Sequence, residues 1–187
     1  LFTALIGASE DETGVAAKGK NAASHRVIAD HLRAATFLAV DGVEPSNKEQ
    51  GYVMRRLMRR AIRFAFELGV EQNFVQDIVP VIANLYESDY PEVKKNRQKI
   101  IDVLVKEEKV FRTTLRKGIS MLNKIAQSNK NDKGEIYITG DRVIFPMYDT
   151  FGFPTELTLE EVFTNGWTLD KNWREQFETK MKEQRER

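Results

Sequence analysis

After Pro91, the apolar residues Ile100, Ile101, Leu104, Val105, Phe111, Leu115, Ile119, Leu122 and Ile125 recur at helical spacing. This predicts a long helix over 91–127, about 35 residues, with one apolar side. Other apolar-periodic segments surround it. Val27, Ile28, Leu32, Ala35, Phe37 and Leu38 mark a helix over 25–40, closed by the DGVEPSN segment at 41–47 with Gly42 and Pro45. A second helix is expected at 50–68, ending at Gly69, and a third over 74–86. The fold class is therefore mainly α, and 187 residues with 41% apolar content suffice for a real core.

The rest of the chain is less regular. SEDETGVAAKGKNAAS at 9–24 is small and polar without apolar periodicity, so it reads as a surface loop, with Ser24 placed to cap the helix after it. SNKNDKG at 128–134 is rich in turn formers and reads as a linker or hairpin base. EIYITG and RVIFPMYD then bring β-branched and aromatic runs, which predict a small two-stranded β element over 135–146. A further helix starts near Thr155, and a last one over 170–187 carries Trp173, Phe177 and Met181 at four-residue spacing. These features divide the chain into a helical domain, 1–169, and a C-terminal helix, 170–187.

Several classes of function are disfavoured at this level. No stretch approaches the roughly 20 apolar residues of a membrane span, and no signal peptide is apparent, so a soluble intracellular chain without a membrane partner is expected. With no cysteine and two histidines, thiolate metal sites are excluded and any metal would rest on carboxylates. No nucleophile constellation, metal cluster or phosphate-cradling glycine loop stands out. Leu1 at the start and a charged helical pattern at the end suggest a piece of a longer protein.

The net charge of +1 hides an uneven distribution, with basic residues gathered at Arg55–Arg63 and acidic ones at Glu156–Glu161. At about 100° per residue, with Arg55 at zero, Arg59, Tyr52, Arg63, Arg56 and Arg60 fall near 40°, 60°, 80°, 100° and 140°, so five arginines share one face. Val53, Met54, Leu57, Met58, Ala61, Ile62, Phe64 and Ala65 fill the remaining arc, and Phe66 breaks the division. Guanidinium forks suit phosphate, and five together repel one another unless anions or carboxylates face them. No acid lies between Gly51 and Phe66, so an intrahelical ladder is not expected to neutralise them. Phosphate or the acids of another helix must. Tyr52 either packs, or contacts a sugar or base. On spacing alone a solvated face paired with the chain's own acids stays open, as do a protein-interaction module and a phosphate-only RNA binder.

HRVIADHLRAATFLAVDGVEPSNKEQGYVMRRLMRRAIR, residues 25–63, resembles the segment that follows the catalytic domain in the alanyl-tRNA synthetase family. MYDTFGFPTELT at 147–158 resembles that family's YDTYGFP motif, with Phe151 in place of a tyrosine. Both occur in the expected order with a helical segment between them. The resemblance implies a helical domain between the class II aminoacylation domain and the editing domain, one that recognises the G·U wobble pair of the tRNA(Ala) acceptor stem. It carries the PSN asparagine onto Asn47 and the YDT aspartate onto Asp149 as base readers. The arginine pairs fall on Arg55, Arg56, Arg59 and Arg60; with Arg63 and Tyr52 these are the expected backbone contacts. An A-form stem exposes base edges in its shallow minor groove, and the guanine amine of a G·U pair is a donor that an amide oxygen or carboxylate can accept. Taken without the resemblance, Asn47 reads first as a turn or cap residue after Pro45, and Asp149 equally as a turn or cap. Asp30 and His31 are read as structural or stem-facing.

The resemblance also sets what this chain is expected to lack. The class II motifs for ATP and alanine and a His/Cys zinc constellation are missing, so the chain alone is expected to be non-catalytic. ATP with magnesium and an editing-domain zinc are implied for a full-length parent that ligates alanine to tRNA. The partners implied are the acceptor stem and the flanking catalytic and editing domains, in the cytoplasm, with no DNA.

Overall fold

A computed structural model describes residues 2–131 and 133–186. Asp132 of the expected turn, and Leu1 and Arg187 at the ends of the expected domain and last helix, lie outside the described residues. The fold is mainly helical with one small β pair, as the sequence predicts. It falls into two compact units, Leu1–Arg112 and Thr113–Arg187, the division lying inside the longest helix.

The first unit contains α1 (Phe2–Thr13), α2 (Asn21–Val40), α3 (Glu49–Glu67), α4 (Val75–Tyr86), α5 (Pro91–Lys95) and the first part of α6 (Arg97–Ser128). Ile28, Leu32 and Ala35 of α2 and Met54, Met58, Ala61, Ile62 and Ala65 of α3 are buried, as are Ile78 and Ile82 of α4 and Leu104 and Phe111 of α6. Each set follows the three- and four-residue spacing that the sequence shows, and α2 packs against α3.

Three expectations are corrected in this unit. The segment 9–24 is not one surface loop: residues 9–13 finish α1 and residues 21–24 begin α2. Leu5 and Ser9 turn inward four residues apart, and the Ser9 hydroxyl meets His25 Nδ1 at 2.8 Å. A serine therefore sits where periodicity looks for an apolar side chain. Ser24, the expected cap, lies buried inside α2. The helix over 91–127 is interrupted by Asn96, whose amide donates to the Glu92 carbonyl at 2.9 Å. The Asn96 backbone amide donates to the same carbonyl at 2.9 Å, so the side chain competes with the helical ladder for one acceptor.

In the second unit β1 (Tyr137–Ile138) pairs in parallel with β2 (Thr168–Leu169), Tyr137 facing Thr168 and Ile138 facing Leu169. RVIFPMYD is not the second strand: a π-helical turn, Gly140–Ile144, leads into α7 (Phe145–Asp149). Thr139 caps that turn, its hydroxyl accepting from the Arg142 amide, and Pro146 occupies the first turn of α7, where its missing N–H costs nothing. Gly140 lies so close to the Trp173 carbonyl that no Cβ would fit. The strand that does pair is two residues long and shows no alternation to read.

The second unit closes with α8 (Thr155–Thr164) and α9 (Trp173–Arg185). Phe153 is buried on Gly118, which has no room for a Cβ beneath its ring. Phe177 of α9 meets the rings of Tyr148 and Phe145 at 5.6 and 6.3 Å. Among the described residues no helix is long and apolar enough to cross a membrane.

Candidate nucleic-acid interface

Helix α3 carries its arginines as the sequence predicts, but the structure sorts them into two groups. Arg56, Arg60 and Tyr52 are exposed, Tyr52 by 45%. Arg55 and Arg59 are directed at α6, where Glu107 Oε1 lies 3.2 Å from Arg55 Nε and 3.0 Å from Arg59 Nε. Arg63 is 2% exposed and pairs with Glu67 one turn on, at 3.1 Å. Neutralisation within the helix thus does occur at Arg63, through an acid just past the acid-free stretch. Val53, expected on the apolar arc, is 50% exposed beside Tyr52, because that arc is wider than the surface α3 buries.

The loop before α3 holds Asn47 at the surface. Gly42 takes φ +81°, the left-handed conformation a glycine adopts without strain, and so turns the chain after α2. Ser46 then makes a local turn, its hydroxyl donating to the Lys48 carbonyl at 3.0 Å and accepting from the Lys48 amide at 3.2 Å. Asn47 follows, exposed, and its side-chain oxygen accepts a short hydrogen bond from Arg55 Nη1. Arg55 Nη2 also donates to the Pro45 carbonyl at 3.1 Å.

Asp149, on the second unit, is likewise exposed at the end of α7. Its Oδ1 accepts a short bond from Gln184 of α9, beside the Lys180–Glu183 pair at 2.7 Å. Gly152, at φ +61°, then turns the chain so that Phe153 can enter the core. In α2, His31 Nδ1 lies 3.1 Å from Asp30 Oδ2, and Arg33 approaches the same carboxylate at 3.4 Å. The two neighbours meet despite adjacent helix positions, forming a small local network.

Sequence reasoning missed Glu107 and Glu108. The signal was present: Leu104, Glu107, Glu108 and Phe111 stand at i, i+3, i+4 and i+7, so both acids lie on the apolar face of α6. Glu108 is fully buried and accepts from the backbone amides of Phe74 and Val75, at 3.1 and 3.2 Å, satisfying the N-terminus of α4. Arg112 pairs with it at 3.0 Å and donates to the Val70 carbonyl at 2.8 Å. Burial pushes the Glu108 carboxyl above its ordinary range, while the Phe74 amide and Arg112 pull it back. Among the described residues no cluster of His, Cys, Asp and Glu is arranged to hold a metal.

Comparison with known proteins agrees with the two motifs. The profile of the family described as "tRNA synthetases class II (A)" matches residues 1–187. An alanine–tRNA ligase of Caulobacter vibrioides is 43% identical over 186 residues, covering 100% of this chain and 20% of that protein. One from Bacillus velezensis is 41% identical over 190 residues, covering 100% of this chain and 21% of the relative. The chain spans about a fifth of the length of these relatives.

Proposed function

Since the chain belongs to the alanine–tRNA ligase family of class II tRNA synthetases, we propose that it recognises the acceptor stem of tRNA(Ala) at the G·U wobble pair. The observation that carries this reading is the setting of Asn47: an exposed amide in a braced loop, at the foot of a helix whose Arg56, Arg60 and Tyr52 are exposed. Asn47 and Asp149 are proposed as the base readers. Arg56, Arg60 and Tyr52 are proposed to grip the phosphate–sugar backbone directly, with Arg55 and Arg59, which share the one carboxylate of Glu107, adding positive potential from behind, and with Arg63, paired to Glu67, supporting the helix rather than the backbone contact. Backbone contacts set register and base contacts set specificity.

The wider activity is proposed from the relatives. A whole protein of this kind would attach alanine to tRNA using ATP with magnesium, in the cytoplasm, through a catalytic domain and a zinc-bearing editing domain outside this chain. Residues 170–187 are proposed as the helix leading toward the editing domain from a recognition domain over 1–169. This chain by itself is proposed to be non-catalytic.

The test is a titration of the chain into an acceptor-stem RNA and its G·U to G·C variant, at low and moderate salt. Preference for G·U should fall by roughly 1–3 kcal/mol in Asn47→Ala. Arg56→Ala and Arg60→Ala should weaken both stems alike and lower the salt slope by about 1 each. Equal binding to both stems would leave a backbone-gripping module, and no binding would favour a helical interdomain or protein-interaction role.

A further inference from the structure

We propose that Arg55 is a positioning residue for Asn47: anchored on Glu107 and on the Pro45 carbonyl, it fixes which edge of the Asn47 amide faces a bound base pair. The inference rests on the reading of Asn47 as a base reader and says how the amide is aimed.

An asparagine amide on a surface loop turns through a broad, roughly two-fold torsion, so oxygen and nitrogen exchange places at little cost. An amide that does so cannot distinguish a donor from an acceptor on a base edge. A guanidinium removes the ambiguity, because it only donates. With Arg55 Nη1 against it, the Asn47 oxygen must point at the arginine, its second lone pair left to accept from the guanine amine, and the two N–H groups point away. The bond is charge-assisted and about twice as strong as a neutral one.

Arg55 is itself restrained on two further sides. Its Nη2 donates to Pro45 at 3.1 Å, and its Nε lies 3.2 Å from Glu107, whose side chain is 8% exposed. Glu107 also holds Arg59 at 3.0 Å, so the acid is fixed on the other side as well. The loop backbone is similarly confined. Glu49 takes φ +49°, a conformation unfavourable for a residue with a side chain, and Gly51 has no room for a Cβ against Ser46 and Glu44. Ser46 N donates to the Gly51 carbonyl at 3.0 Å, tying the loop to the first turn of α3. Three bonded elements therefore converge on the orientation of one exposed amide.

A phosphate contact by Arg55 would have different consequences from a positioning role. Losing a phosphate contact weakens every stem equally, whereas losing the aim of Asn47 removes the preference and leaves the grip.

The experiment uses this chain, Arg55→Ala, Arg55→Lys and Glu107→Gln, with two readouts. The first is the Asn47 side-chain amide signal in NMR spectra without RNA. Arg55→Ala should move it to the position of a solvent-exposed asparagine, and Arg55→Lys and Glu107→Gln should shift it part of the way. The second is the ratio of dissociation constants for the G·C and G·U stems. Arg55→Ala should lose roughly tenfold in that ratio while binding to the G·C stem changes by less than about threefold. Arg55→Lys, which keeps the charge but gathers its donors on one nitrogen and so cannot span Asn47, Pro45 and Glu107 as the guanidinium does, should also lose preference. If wild type discriminates and Arg55→Ala or Arg55→Lys discriminates as well, the inference is overturned while the base-recognition reading stands. An Asn47 signal that does not move in Arg55→Ala overturns it too. If wild type binds both stems equally, the base-recognition reading fails and this inference falls with it.

Discussion

In Leu1–Arg112 the buried side chains include Glu107, Glu108, Arg112, Arg63, His25, Thr36, Ser9 and Ser24. In Thr113–Arg187 the buried polar side chain among the described residues is Thr158, set in a core of Leu115, Leu122, Ile138, Val143, Ile144, Met147, Phe153, Leu157 and Val162. The first unit thus fixes its helices partly through buried ion pairs and hydrogen bonds, the second through apolar packing. The proposed readers inherit that difference. Asn47 is tied through Arg55 to a buried acid, whereas Asp149 is held by Gln184, an exposed neutral side chain near the end of α9.

The largest effects should come from the two cores, by different routes. Glu108→Ala would leave the Arg112 charge buried without its acid and the Phe74 and Val75 amides without an acceptor. Its expected cost is about 3–5 kcal/mol. Phe153→Ala should cost a similar amount, about 3–5 kcal/mol, from lost burial and the cavity left over Gly118. Chemical denaturation measures both. The comparison breaks if Glu108→Ala costs less than about 1 kcal/mol, the net worth of an ordinary neutral hydrogen bond.

A smaller effect should appear on acidification. Burial lowers the His25 pKa below its ordinary 6.5, against an opposing pull from the Glu10 carboxylate and the nearby Val15 backbone. The folded state therefore disfavours the extra proton that the unfolded chain takes up below 6.5. Stability from the neutral ring is fully present above that value and is lost as pH falls toward the lowered folded pKa. Melting temperature should drop over this window in the wild type and drop less in His25→Asn. An identical pH profile for the two proteins would show that this buried polar group carries none of the dependence.

How much of this was legible in the sequence follows the same division. The helices of the first unit follow from apolar spacing, and the arginine face follows from helical angles. Which arginines face inward did not, because the sorting depends on Glu107, more than 40 positions away on α6. Its place on an apolar stripe was readable, but its partners were not. Ser9 hid the end of α1 because the side chain facing the core there is a hydroxyl satisfied by His25. In the second unit, β-branched residues at 136–144 spoke for a hairpin, yet Gly140 packed against α9 and Pro146 in a first helical turn produced helix instead. Tertiary contact overrode local propensity there, and β2 is too short to carry a period. Asn47 and Asp149 stood out through the two motifs rather than through any physical pattern.

The smallest stability effect, and the one that most sharpens the contrast between the two readers, belongs to Gln184→Ala. Gln184 is exposed and its bond to Asp149 links a neutral amide to an exposed carboxylate, so the expected change in stability is within about 0.5 kcal/mol. Its effect on RNA should have the opposite sign from that of Arg55→Ala. The Gln184 amide donates to Asp149 Oδ1, one of the two oxygens open to a guanine amine, so removing it takes away a competitor and leaves the acceptor in place. Binding to the G·U stem should tighten by up to about threefold, the order of one weak surface hydrogen bond, with the G·C stem unchanged. If Gln184→Ala instead loses preference for G·U, then α9 aims Asp149 much as Arg55 aims Asn47. The two readers would then share one strategy, a donor fixing an acceptor, despite the different chemistry of the cores behind them.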